Sequence, residues 1–131
     1  MKIDIQILDR DYCRISKETC YKAVIYVLSY LRSLGLKSPP SVEIILTRQK
    51  PQDYGRKMGI SGRVFNTAIM LSEQVLLVRC STIFNVTLEN LVKALIYYVY
   101  LHNLVRPEDV PIELITRKIF FKLLVLVSKY T

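Results

Sequence analysis

Isoleucines at positions 3, 5 and 7 alternate with Lys2, Asp4 and Gln6, and a period of two marks a half-buried β-strand. The polar stretch DRDYCRI then predicts a connection, after which the period lengthens. Val24, Val27, Leu28 and Leu31 fall at helical spacing, so a helix with one apolar stripe is expected from Lys17. Ser16 stands where its hydroxyl can cap that helix, Glu18 suits its first turn, and Gly35 can end it. Pro39 and Pro40 separate the helix from SVEIILTR, which reads as a second strand. The segment QKPQDYGRKMG, broken by Pro51, Gly55 and Gly59, predicts a long loop. Further extended pieces follow, ISGRVFN with TAIMLS and then VLLVRC. Thr87 is placed to cap a second long helix from Leu88 to about Leu104, closed by Arg106 and Pro107. Pro111 falls in the first turn of a third, where its missing N–H costs nothing. The expected order is β-α-β-β-β-α-α. That is a single α+β domain over residues 1–131, with helices packed on one face of a small, partly antiparallel sheet.

The last two helices carry more apolar surface than one small domain can readily enclose. On the second, Glu89, Lys93, Tyr97 and Tyr100 form the only evident polar stripe; on the third, Lys118, Lys122 and Lys129 do. A surface helix of a monomer ordinarily shows a wider polar face. Either each helix is covered on several sides within the domain, or part of the apolar face is the subunit interface of a homodimer, with Phe120, Phe121 and Leu124 as candidate interface residues. The run IFFKLLVLVSKYT is no membrane span, because a span needs ~20 apolar residues and Arg117, Lys118, Lys122 and Lys129 interrupt this one.

Composition narrows the function classes. With 51% apolar and 23% charged residues the chain is globular, and its formal charge of +8 favours nucleic acid or another polyanion as a partner. The alternating start MKIDIQILDR is no signal peptide, so an intracellular protein with reduced cysteines is expected. Cys13, Cys20 and Cys80 lack paired spacing, and with a single His they predict no metal site. A Cys–His dyad of His102 with Cys20 or Cys80 has no local signature. Among carboxylates that might serve a metal-dependent nuclease, Asp9 and Asp11 are crowded by Arg10 and Arg14. Asp4, Glu43 and Glu73 lie on or beside strands without the lysine such sites use. Gly55, Gly59 and Gly62 do not match a phosphate-binding loop. No catalytic residue, cofactor or small-molecule substrate is therefore predicted.

The stretch TLENLVKALIYYVYLHN, from Thr87, resembles the active-site helix of minimal zinc metallopeptidases, the small zincins. That family reads roughly T-x-E-x-L-x-x-x-L-I-H-E-x-x-H on a helix preceded by an edge strand. Glu89, Leu91, Leu95 and Ile96 match. The metal-site positions do not: Tyr97 stands for the first His, Tyr98 for the general-base Glu and Leu101 for the second His. His102 lies one residue further on, about 100° round the helix. The resemblance would put Glu113 of the next helix at the third-ligand position, where one carboxylate cannot hold zinc alone. The resemblance implies a zincin-like fold without HExxH, hence without catalysis, and asks Tyr97, Tyr98 and Glu113 to face one cleft. In the style of its Ile-, Leu-, Tyr- and Lys-rich stretches, such as AVIYVLSYLRSLGLKSPPSVEIILTRQK, the chain also resembles small proteins of viruses of hyperthermophilic archaea, the rod-shaped group. That likeness implies a viral protein in the host cytoplasm, and it weakens the reduced-cysteine expectation.

One basic segment remains. Arg48, Lys50, Arg56, Lys57 and Arg63 surround the single acid Asp53, with Tyr54 among them. Cations neutralise phosphates and an exposed Tyr stacks on an unpaired base. Arg48 to Arg63 is thus the candidate nucleic-acid surface, the alternative being a mobile loop kept soluble by its charge. The leading expectation is a non-enzymatic binding or assembly protein that self-associates through its C-terminal helices.

Overall fold

A computed structural model of the chain describes residues 1–73 and 75–128. Strand β1 (Lys2–Ile7) and strand β2 (Ser41–Thr47) pair in parallel, with Ile5 opposite Ile44. Parallel neighbours need a crossover, and helix α1 (Lys17–Ser33) supplies it. Ser16 caps α1 as expected, its Oγ accepting from the Thr19 N–H at 3.1 Å. At the far end the Leu36 N–H donates to Leu31 C=O and the Gly35 N–H to Arg32 C=O. Gly35, at φ 90°, takes the left-handed position that this two-bond closure requires.

The expected loop after β2 contains a short helix, α2 (Pro51–Lys57). Pro51 at its first position is pre-set for helical φ and needs no N–H partner. Gly55 lets α2 come down on the sheet: a Cβ there would run into the Met70 side chain and the Ile60 carbonyl. The piece expected as ISGRVFN with TAIMLS is a hairpin, β3 (Arg63–Val64) and β4 (Ile69–Ser72), turned by Asn66, whose Oδ1 accepts from the Ala68 N–H at 2.7 Å. Strand β5 (Val75–Arg79) runs antiparallel to β4 and parallel to β2. The sheet order is β1-β2-β5-β4-β3, a mixed five-stranded sheet and an α+β fold.

Strand alternation divides the core between two faces. Val42, Ile44, Leu46, Ile69, Leu76 and Val78 join the main cluster with α1, helix α3 (Phe84–His102) and helix α4 (Ile112–Ser128). Ile45, Met70 and Leu77 point the other way, against Tyr54 of α2 and Ile60. The long helices thus share one side as expected, and α2 covers part of the other.

Two expected boundaries shift. Helix α3 starts at Phe84 behind Ile83, which makes no side-chain cap. Thr87 is buried in its first turn instead, where its hydroxyl accepts from Ser81 N–H at 2.8 Å and donates to Ser81 C=O. That hydroxyl ties down the β5–α3 connection and does not cap the helix. Pro111 stands just ahead of α4, its carbonyl accepting the Ile115 N–H; Lys129 lies outside the described residues.

The cysteines depart from the reduced state expected. Cys13, in the β1–α1 connection, forms a disulfide with Cys80 at the end of β5, their Cα atoms 5.3 Å apart. Cys20 faces the core from α1 as a buried free thiol, and burial pushes its pKa up to about 12.

Candidate functional site

Helix α3 crosses under the sheet, and its polar stripe is mostly covered: Lys93 and Tyr97 are half-buried and Tyr100 is buried, leaving Glu89 exposed. Tyr97 stacks on Phe65, with ring centroids 4.4 Å apart. The Arg63 guanidinium lies 5.0 Å from the centroid of the Phe65 ring. Tyr97, Arg63 and Phe65 line a cleft of about 520 Å³ whose far wall runs from Pro107 to Leu114. Two ion pairs cross its walls, Arg63–Glu108 at 3.6 Å and Lys93–Glu113 at 2.9 Å. Each cation in the cleft already has a carboxylate, so the site offers no uncompensated charge to a substrate.

Of the three residues the zincin-like arrangement brings to one cleft, Tyr97 and Glu113 do line it together. Tyr98 does not. It is buried on another side of α3, where its hydroxyl donates to the Ser41 carbonyl at 2.6 Å, and burial raises its pKa. The strand before α3 is β5, interior to the sheet, with β4 and β3 outside it. Leu101 is half-buried against the core and His102 is exposed in the last turn of α3. Among the described residues no group of three His, Cys, Asp or Glu gathers as a metal site. Asp4 and Glu43 are register partners on β1 and β2, while Asp9, Asp11 and Glu73 are exposed in connections. Cys80 is taken up by its disulfide.

The structure disperses the basic segment. Arg48 sits over the Tyr12 ring at 4.9 Å. Tyr54 is half-buried against the second core cluster, its ring packed where a base would have to stack. Arg63 belongs to the cleft. Lys50 is exposed at the start of α2, and Arg56 and Lys57 are exposed at its end. Of the expected set, these three exposed cations remain, and Tyr54 is packed away from them.

Helix α4 splits its aromatic pair. Phe120 is buried in the core, Phe121 is 58% exposed, and Leu124 is half-buried. Leu114 and Val125, 53% and 59% exposed, lie on the same helical line as Phe121. On the other side of α4 a groove of about 540 Å³ opens towards α1, lined by Tyr21, Ile25, Tyr26, Leu123, Leu126 and Val127 among others. The exposed Tyr21 and Ile25 were not predicted. Their signal is a second apolar pair at i, i+4 beside the stripe from Val24 to Leu31. No helix among the described residues is long and apolar enough to cross a membrane. The chain matches no protein-family model, and neither a curated protein nor a solved structure matches it.

Proposed function

We propose that this is a non-enzymatic binding and assembly protein whose chains pair through the outward face of α4. The observation that carries the reading is the line Leu114, Phe121 and Val125, each more than half exposed on a helix whose opposite side is core. Spacings of four and seven residues are those of a helix-pairing seam. In an antiparallel pair, Leu114 of one chain meets Val125 of the other with both Phe121 rings near the two-fold axis. An isologous contact of this kind is closed and needs no second surface. The charge-compensated cleft, the scattered carboxylates and the single exposed His support a role without chemistry.

Sedimentation equilibrium tests it. The protein should show twice the chain mass at micromolar concentration, and Phe121→Ser with Val125→Ser should return it to the chain mass. Both side chains are exposed, so the circular dichroism spectrum should be unchanged, and thermal unfolding should lose only the stabilisation that pairing adds. A wild type that stays at chain mass throughout rejects the reading. A mass that doubles only when oligonucleotide is added, and reverts on Arg56→Ala with Lys57→Ala, would favour the nucleic-acid alternative on α2.

A further inference from the structure

We propose that β1 is a second self-association edge, where two copies pair antiparallel strands and continue the sheet from one chain into the other. Strand β1 ends the sheet on one side and β3 on the other. The β3 edge is two residues long, Arg63–Val64, too short to template another strand. The β1 edge runs from Lys2 to Ile7 with no proline or glycine to blunt it. The Lys2 N–H donates to Pro40 C=O and the Leu8 N–H to Leu46 C=O. Backbone groups alternate along a strand, so the even positions face β2, and the N–H and C=O groups of Ile3, Ile5 and Ile7 face outward. A hollow of about 210 Å³ is lined by Ile3, Asp4 and Ile5 in succession, with Lys17 and Tyr21 of α1 beyond them. Successive strand residues point to opposite faces, so a hollow that touches all three lies against the open backbone.

A row of free backbone groups selects an extended strand, and the side chains beside it select which one. Lys2 and Asp4 are both exposed, on the sheet face away from α1. About a two-fold axis at Ile3, Lys2 of each chain stands opposite the partner's Asp4, and the two Ile3 residues exchange N–H and C=O bonds. Opposite charges so placed attract, and symmetry makes the pair twice. An axis at Asp4 would set two carboxylates face to face. An axis at Ile5 would oppose Asp4 with Gln6 and Lys2 with Leu8. Charge therefore chooses both the occupant, a second copy, and its register. The edge is also locally balanced within a chain of +8: Lys2 and Lys17 are matched by Asp4 and by Glu43, the register partner of Asp4 on β2. On the helix face the half-buried Ile3 of each chain gains the other as cover, and the partner's Met1, opposite Ile5, reaches the hollow. So short a ribbon buries far less than the ~800 Å² per partner of a standard interface, so it forms above the micromolar range. Joined to the α4 seam, on which this consequence alone rests, a second isologous contact carries the assembly beyond two chains.

Sedimentation equilibrium of the Phe121→Ser, Val125→Ser protein, which keeps the β1 edge intact, isolates this contact. At chain mass in the micromolar range, it should approach twice that mass by about 0.5 mM. Asp4→Lys and Lys2→Asp should each weaken this association about tenfold, by replacing the opposite-charge pairs with like charges. Mixing those two proteins should restore it in mixed pairs, and Lys2→Asp with Asp4→Lys in one chain should restore it as well. A merely structural role for either residue predicts neither rescue. Amide exchange at Ile3 and Ile5 should slow as concentration rises, with Ile7 unaffected. Lys2 and Asp4 are exposed, and circular dichroism would confirm the fold. In the wild type either single charge reversal should remove species larger than two chains and keep the dimer. Failure of the α4 reading is seen separately, as a wild type that only doubles and does so through β1. Chain mass up to about 1 mM, with Ile3 and Ile5 exchanging freely, would mean that no copy closes the edge and would overturn the proposal. So would an association indifferent to both charge reversals, or a swapped chain that stays single.

Discussion

Two helix ends in this protein use the same closure with opposite residues. After α1, Gly35 holds the left-handed position; after α3, Leu104 holds it at φ 59°, with Val105 N–H donating to Tyr100 C=O and Leu104 N–H to Leu101 C=O. A residue with a Cβ pays roughly 1–2 kcal/mol in that conformation, partly offset by the greater freedom that glycine brings to the unfolded chain. The Leu104 side chain is 94% exposed, so it recovers nothing by packing. A Cβ on Gly35 would touch nothing within 4 Å, which leaves conformation as the only cost of adding one. Leu104→Gly should therefore stabilise the protein by about 0.5–1 kcal/mol, and Gly35→Ala should destabilise it by about 1 kcal/mol. Urea unfolding of the two variants measures this directly. Shifts of the same sign would show that the closures are not governed by backbone conformation.

At the scale of elements, the parts legible in the sequence were those announced by period and cap. Ile3, Ile5 and Ile7 placed β1, and Ser16, the Val24–Leu31 stripe and Gly35 placed both ends of α1. Helix α2 was not legible because Gly55, ordinarily a helix breaker, is kept by a close approach to Met70 and Ile60 that only the fold creates. Tyr54 looked like a stacking platform for the same reason: nothing in QKPQDYGRKMG says that its ring turns towards Ile45 and Leu77. The Cys13–Cys80 bridge was hidden by distance, since it spans 67 positions and depends on β1 and β5 both flanking β2. That span gives it consequence. A tether of this length removes about 4 kcal/mol of loop-closure freedom from the unfolded chain in the entropic limit. Cys13→Ser with Cys80→Ser should lower unfolding free energy by a large part of that, with little change in the native circular dichroism spectrum. Thiol titration gives a second reading: a slow, buried Cys20 in the native protein, one thiol after unfolding, three after unfolding and reduction. Three thiols in the unfolded protein before reductant would show that the bridge does not form.

For the whole molecule, charge sets apart the two kinds of association that a protein of this composition invites. Several of its few carboxylates are already engaged: Glu18 with Lys22, Glu108 with Arg63, Asp109 with Arg106 and Glu113 with Lys93. What faces solvent along the α4 seam is cationic, with Lys118 within it and Arg117 and Lys122 at its sides. Chains that pair there bring like charges together, at a cost that falls as the screening length shrinks from about 10 Å at 0.1 M salt to about 3 Å at 1 M. Apolar burial along Leu114, Phe121 and Val125 does not share that salt dependence. Raising salt should therefore tighten self-association. A polyanion held by Lys50, Arg56 and Lys57 would respond in the opposite sense, losing affinity with a log–log slope of about −0.7 to −0.9 for each phosphate neutralised. Sedimentation of the protein alone and anisotropy of a labelled oligonucleotide, followed across the same salt series, should give slopes of opposite sign. If the mass falls as salt rises, attraction between charges holds the chains together, and the α4 seam is not what joins them.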